Sequence, residues 1–142
     1  MLNGINPILT GELLAQLDAM GHSDSVVIAD AHFPAERLGA RVLNLPGLSA
    51  PQVVRAIRTV IPLDDQLSFD LMESADGALL PVQEDLIAAA GAGEGEIRFV
   101  ERNDFYALAG ASFLIVRTGE IRKYGNALLR KGVITAESGD AS

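Results

Sequence analysis

The chain has 142 residues, 49% apolar and 21% charged, with a mean hydropathy of +0.25. That is enough for one hydrophobic core, short for two domains, too apolar for disorder, and without the unbroken apolar run of a membrane span. The formal net charge is -8 with Lys and Arg scattered, which argues against nucleic acid as a partner, and the absence of cysteine excludes disulfides, Cys-ligated zinc, iron–sulfur clusters and thiol nucleophiles.

The opening segment MLNGINPILTGELL lacks the basic and apolar regions of a secretory signal, so cytoplasmic residence is expected. Thr10 can cap a helix over residues 12–20, whose Leu13, Leu14, Leu17 and Met20 recur at helical spacing, with Gly21 as a left-handed stop. SVVIAD, residues 25–30, reads as a strand covered on both faces, and Pro34 closes the segment after it. Residues 41–45 form a second short strand. Pro46-Gly47 turns it into Ser49-Ala50-Pro51-Gln52, a capping-box start for a helix with a stripe of Val53, Val54, Ile57, Val60 and Ile61.

Residues 68–72 are a third strand, and Pro81 opens a helix that Gly91-Ala92-Gly93 ends. Ile97 and Phe99 alternate with polar neighbours as in a strand, and Asn103 or Asp104 can start a short helix through Phe105 and Tyr106. SFLIVRT is a further buried strand. After the turn at Gly119-Glu120, Gly125 is expected to take a special backbone conformation, a short last strand can follow, and the tail 135–142 carries no core residues and should fray.

The alternation of elements predicts one α/β domain over residues 1–134, a central sheet flanked by helices. The sheet is expected to be mixed, because residues 30–41 look too few for a helical crossover between parallel strands. The few aromatics point to an aliphatic core, with further apolar surface for contacts between subunits.

Asp30 falls at the carboxyl end of a buried strand, where open α/β sheets place ligands, and His32 follows it. A histidine and a carboxylate are the minimum for proton transfer near pH 7, but His22 as a helix-end residue and Asp30 as a turn cap account for the spacing equally well. His22, Asp24, Asp30 and His32 could also ligate zinc or iron, yet a zincin His pair and a Cys framework are both missing, so no metal is expected. No G-x-S-x-G elbow or phosphate loop is present. Further along, Arg102, Phe105 and Tyr106, then Tyr124, Gly125 and Asn126, supply a guanidinium, phenols and an amide, the groups that bind a neutral polyol. Each taken singly is also at home in a core or on a solvated helix.

Taken together, GH-x7-DAHFP, R-x2-FY and KYGN-x-LL-x-KGV, in this order from residue 1 to about 134, resemble the fucose mutarotase family and its relative ribose pyranase. The DAHFP and YGN forms resemble the fucose branch, so His32 and Gly125 point to fucose over ribose. The resemblance implies a ribose pyranase/fucose mutarotase-like fold and an isomerase that interconverts the anomers of a free monosaccharide, L-fucose or a similar sugar, without a cofactor. It also implies ring-like homo-oligomers, a decamer among the candidate sizes, with sites near subunit contacts. It assigns His22 as the catalytic histidine, Asp30 and Arg102 as sugar-binding, and Tyr124, Gly125 and Asn126 as the C-terminal binding segment. Tyr106 becomes a second catalytic candidate and His32 a sugar contact. The alternatives are a pyranose–furanose isomerase of ribose and a non-catalytic, transport-associated sugar-binding protein.

Overall fold

The computed structural model describes residues 1–136; of the tail set apart at 135–142, residues 137–142 lie outside the described residues. Three of the helices begin where side chains satisfy the first free amides. Thr10 Oγ1 accepts from the Leu13 amide at 3.2 Å to start α1 (Gly11–Ala19). The expected capping box starts α3 (Ala50–Arg58): the Gln52 amide donates to Ser49 Oγ at 3.3 Å and the Ser49 amide to Gln52 Oε1 at 2.9 Å. Pro81 opens α4 (Pro81–Ala90), and Gly91, at φ 64°, ends it in the left-handed region. Glu101, two positions before Asn103 and three before Asp104, which were expected to do so, caps α5 (Arg102–Gly110).

The strands are β1 (Ser25–Ala29), β2 (Val42–Leu45), β3 (Phe69–Met72), β4 (Ile97–Val100), β5 (Leu114–Thr118) and β6 (Ala127–Arg130), joined in one sheet in the order β2-β5-β1-β6-β3-β4. The sheet is mixed, but not for the reason the chain length suggested. β1 and β2 both run parallel to β5, so the segment between them is a crossover after all. It fits because its helix, α2 (Ala35–Leu38), is a single turn with Ala35 fully buried. Gly39 lets the chain descend against the sheet, since a Cβ there would come within 2.9 Å of Val42 Cγ2 and 3.0 Å of Ile115 Cδ1.

The antiparallel element is instead the short last strand, and it lies in the middle of the sheet. β6 pairs with β1 on one side (Val27 opposite Leu128) and with β3 on the other (Asp70 opposite Leu128). The carboxyl ends of the other five strands and the amino end of β6 therefore share one edge. Period-two alternation divides the core between two faces. Val26, Ile28, Leu114, Val116 and Leu129 pack under α1, α3 and α4, whereas Val27, Ala29, Ile115 and Leu128 pack under α2 and α5 with Phe33 and Phe105.

Because Leu128 is 1% exposed and its strand links the two parallel halves of the sheet, Leu128→Ala should destabilise the protein by about 2–5 kcal/mol through lost transfer energy and an unfilled cavity. Urea unfolding should show this as a lower midpoint at unchanged slope.

Candidate active site

A cavity of ≈ 370 Å³ opens at the edge where the parallel strands end, and its lining comes from four places in the chain. Asp30, His32 and Phe33 follow β1, Met72 ends β3, Arg102 and Tyr106 stand on α5, and Lys123, Tyr124 and Asn126 precede β6. A second cavity of ≈ 340 Å³ near the opposite edge is lined largely by aliphatic side chains, among them Leu14, Leu17, Val60 and Ile134. Its Lys131 ammonium donates to the carbonyls of Leu17 and Met20 at 2.8 and 2.7 Å. Of these two cavities, the first has the more polar lining.

The floor of that first cavity is a reciprocal pair across the β1–β6 junction. The Asp30 amide donates to Asn126 Oδ1 at 2.7 Å, and Asn126 Nδ2 donates to Asp30 Oδ2 at 3.1 Å. The His32 amide donates to the other carboxylate oxygen at 3.0 Å. Both Asp30 and Asn126 are buried. Burial pushes the Asp30 carboxyl above its ordinary value, opposed by the His32 amide, His32's charge, and the hydrogen bonds from Asn126 and the Gly125 amide.

The aromatic wall rests on the second core cluster. Phe33 meets Phe105 and Tyr106 edge to face, with centroids 6.0 and 5.4 Å apart, and the Arg102 guanidinium lies 5.7 Å from the Tyr106 ring centroid. Phe105 itself is fully buried, a core residue as its type suggests. Glu101 fixes the start of α5 by accepting from the Asn103 amide at 2.8 Å.

The third wall depends on a loop whose organising residues the sequence reading missed. Glu120, 4% exposed, accepts from Arg122 Nε at 3.0 Å, Nη2 at 3.1 Å and the Arg122 amide at 3.2 Å, while Arg122 Nη1 reaches Asp85 on α4 at 2.9 Å. The Glu120 carbonyl accepts from the Ala31 amide at 2.8 Å, and His32 Nε2 donates to the Ile121 carbonyl at 3.2 Å. One clasp thus ties the segment after β1 to the loop before β6. The left-handed residue in that loop is Tyr124, at φ 62°, while Gly125, expected to take a special backbone conformation, does not have a positive φ. Gly125 is required for space: a Cβ would sit 2.8 Å from Glu120 Cγ and 3.1 Å from the Arg122 carbonyl. The sequence signal for the clasp is the Gly119-Glu120 turn after the buried run, which by itself predicts only a turn.

Asp30, His32, Arg102, Tyr106, Tyr124 and Asn126 are therefore brought together, and Gly125 adjoins them. His22 is not. It precedes β1 at the opposite sheet edge, where its Nε2 lies 3.0 Å from Asp64 Oδ1. With a strand between them at ~3.3 Å per residue, His22 and Asp30 of one chain are on the order of 20 Å apart. The four residues weighed as metal ligands are split the same way, and Asp24 accepts from the Gly21 amide at 2.7 Å. Among the described residues no group of three or more His, Asp or Glu is placed to hold a metal. The turn after α1 also differs from expectation, since Ser23, at φ 70°, takes the left-handed conformation assigned to Gly21.

The fold and this cavity define an α/β domain with a polyol-type pocket at the carboxyl edge of its sheet. The chain belongs to the RbsD / FucU transport protein family, whose model matches residues 3–134. It is 39% identical over 140 residues to the L-fucose mutarotase of Glaesserella parasuis serovar 5 (strain SH0165), covering 94% of this chain and 96% of that protein. It is 36% identical over 149 residues to the fucose mutarotase of Danio rerio, covering 96% and 97%. The solved fucose mutarotase of Streptococcus pneumoniae in complex with L-fucose superposes with a TM-score of 0.86 at 30% identity, over 94% of this chain and all of that one. Bacillus subtilis RbsD complexed with D-ribose shares the fold at a TM-score of 0.75 and 23% identity, over 95% and 100% of the two chains.

The Arg122 guanidinium holds the Glu120 carboxyl below its ordinary value of 4.5. A depressed folded value means that the ionised group stabilises the fold above the unfolded value, and that this contribution is lost as pH falls through the folded one. Glu120→Gln should therefore be less stable than the wild type at pH 7 by about 1–2 kcal/mol, discounted for the exposure of Arg122. The gap in thermal midpoint should close as the pH is lowered through and below the ordinary carboxylate range.

Proposed function

We propose that the protein is a monosaccharide mutarotase, an isomerase that interconverts the α and β anomers of L-fucose or a similar free sugar. The observation that carries this reading is the Asp30–Asn126 pair, a buried carboxylate and amide held rigidly at the base of a cavity that also offers a guanidinium and two phenols. That set suits a neutral ring rich in hydroxyls. The likeness over nearly the whole chain to proteins named as fucose mutarotases supports the same activity.

The reaction needs only protons. A base takes the anomeric hydroxyl proton while O1 forms the carbonyl and the C1–O5 bond breaks. An acid protonates O5, and after rotation about C1–C2 the steps reverse. Each well-placed proton-transfer group is worth about 10² to 10⁴-fold. In our reading Asp30, Arg102 and Asn126 hold hydroxyls, with Tyr124 and the close-packed Gly125 completing that segment and His32 a further sugar contact. Tyr106 supplies a proton or a ring face, and His22 is the main proton carrier. No cofactor is called for by this chemistry.

For His22 to act at this cavity it must come from another copy, because within one chain it stands at the far edge of the sheet. A head-to-tail contact that brings the His22 edge of one copy to the cavity of the next is heterologous and closes most simply as a ring. A ring-like homo-oligomer, a decamer being one candidate size, with one domain per chain over residues 1–134 follows from that reading. Free monosaccharides as substrates agree with cytoplasmic residence.

Saturation-transfer NMR between anomeric protons of L-fucose, D-ribose and other free sugars tests the assignment. Transfer above the buffer rate is expected for fucose. Exchange of ribose pyranose and furanose forms without fucose exchange would move the protein to the ribose branch, and binding without faster exchange of any sugar would make it a binding protein.

A further inference from the structure

The turn that carries His22 is held in a way that ordinary strand entry does not require. Ser23 has φ 70°, a left-handed conformation that costs a residue with a side chain, and its amide is pinned to the Lys131 carbonyl at 2.9 Å. Both side chains of the turn converge on one carboxylate. Ser23 Oγ donates to Asp64 Oδ2 at 2.7 Å, and His22 Nε2 lies 3.0 Å from Asp64 Oδ1, which also accepts from the Asp65 amide at 2.9 Å. The backbone beneath is fixed in turn, the Asp64 amide donating to the Arg130 carbonyl at 3.0 Å. The hydrogen bonds from Ser23 and His22 hold the Asp64 carboxyl below its ordinary value, so it is an anion that accepts from Nε2–H. The His22 side chain is 58% exposed, and its Nδ1 makes no hydrogen bond among the described residues.

We propose that Asp64, seated by Ser23, is the positioning residue for His22: it fixes the imidazole with the proton on Nε2 and presents the Nδ1 lone pair as the atom that takes and returns the sugar proton. This rests on the reading of His22 as proton carrier. In the forward step Nδ1 takes the O1 proton, the O1 electron pair forms the carbonyl, C1–O5 breaks, and O5 is protonated by an acid of the cavity, so no oxidant or reductant is involved. The imidazolium that forms then lies against the Asp64 carboxylate, which orients and stabilises it without itself being protonated. A carboxylate that merely tied two loops together would hold no such relation to the charge on the ring.

Fucose exchange measured against fucose concentration, on variants shown to be folded, separates the two roles. Asp64→Asn and Asp64→Ala should lower kcat by about 10- to 1000-fold with KM within about threefold, and formate should restore part of the kcat of Asp64→Ala. In a His22→Ala background, Asp64→Asn should add no further loss, since the two act as one unit. Wild-type kcat in folded Asp64 variants, or equal losses of kcat in the presence and absence of His22, would overturn the inference even if His22→Ala alone is slow. Wild-type exchange by His22→Ala would remove the proton-carrier reading and this one with it. Should neither Asp64 variant fold, Ser23→Ala decides: a several-fold drop in kcat at constant KM supports the positioning role, and an unchanged kcat overturns it.

Discussion

The pair of hydrogen bonds between Asp30 and Asn126 joins the end of β1 to the beginning of β6, and most of what is distinctive in the molecule can be traced to that junction. An antiparallel strand at the centre of an otherwise parallel sheet brings its amino end to the edge where its neighbours finish. The polar residues just before it are thereby placed beside the polar residues just after β1. In an all-parallel sheet the segment carrying Tyr124 and Asn126 would lie at the other edge and no such cavity would form. The buried carboxylate is disfavoured as an anion by its surroundings, an arrangement stable only because the amide, the main chain and the clasp around Glu120 fix it in place.

In the function proposed here, the same arrangement leaves a single chain incomplete as a proton-transfer catalyst. The cavity collects a carboxyl, an amide, a guanidinium and two phenols, while His22 stands at the opposite edge beside Asp64. In the function proposed here, recognition and proton transfer are split between two ends of one sheet and meet only when copies stack end to end. In that reading association has a chemical purpose beyond covering apolar surface. It also explains why a turn so exposed carries a strained serine and an anchored carboxylate, features that a solvated loop would not need.

Much of the fold was legible in the chain because local signals and burial agree there. The Ser49–Gln52 capping box, the Pro81 helix start, the Gly91 stop and the β-branched run of β1 all appear where residue type and periodicity put them. The crossover between β1 and β2 was not legible, because a helix of one turn has no period and the close approach at Gly39 is a tertiary fact. Nor could the central position of β6 be read, since a strand of four residues says nothing about its neighbours. For the site, the polar residues grouped in sequence do converge, apart from His22. The Glu120–Arg122–Asp85 clasp escaped because its members are ordinary surface types whose burial and pairing exist only after folding. The special backbone conformation expected of Gly125 falls on Tyr124 instead, and the glycine serves to make room.

The central claim is that a sugar-binding cavity built on Asp30 of one copy works with His22 of another. Subunit complementation addresses it most directly. His22→Ala and Asp30→Asn proteins, each inactive alone, are dissociated, mixed and reassembled, and anomeric exchange of L-fucose is followed by saturation transfer. Recovery of exchange in the mixture is expected, because some contacts then join an intact His22 to an intact Asp30. Exchange that stays at the buffer rate in verified mixed oligomers, while the wild type treated in the same way remains active, would contradict the account.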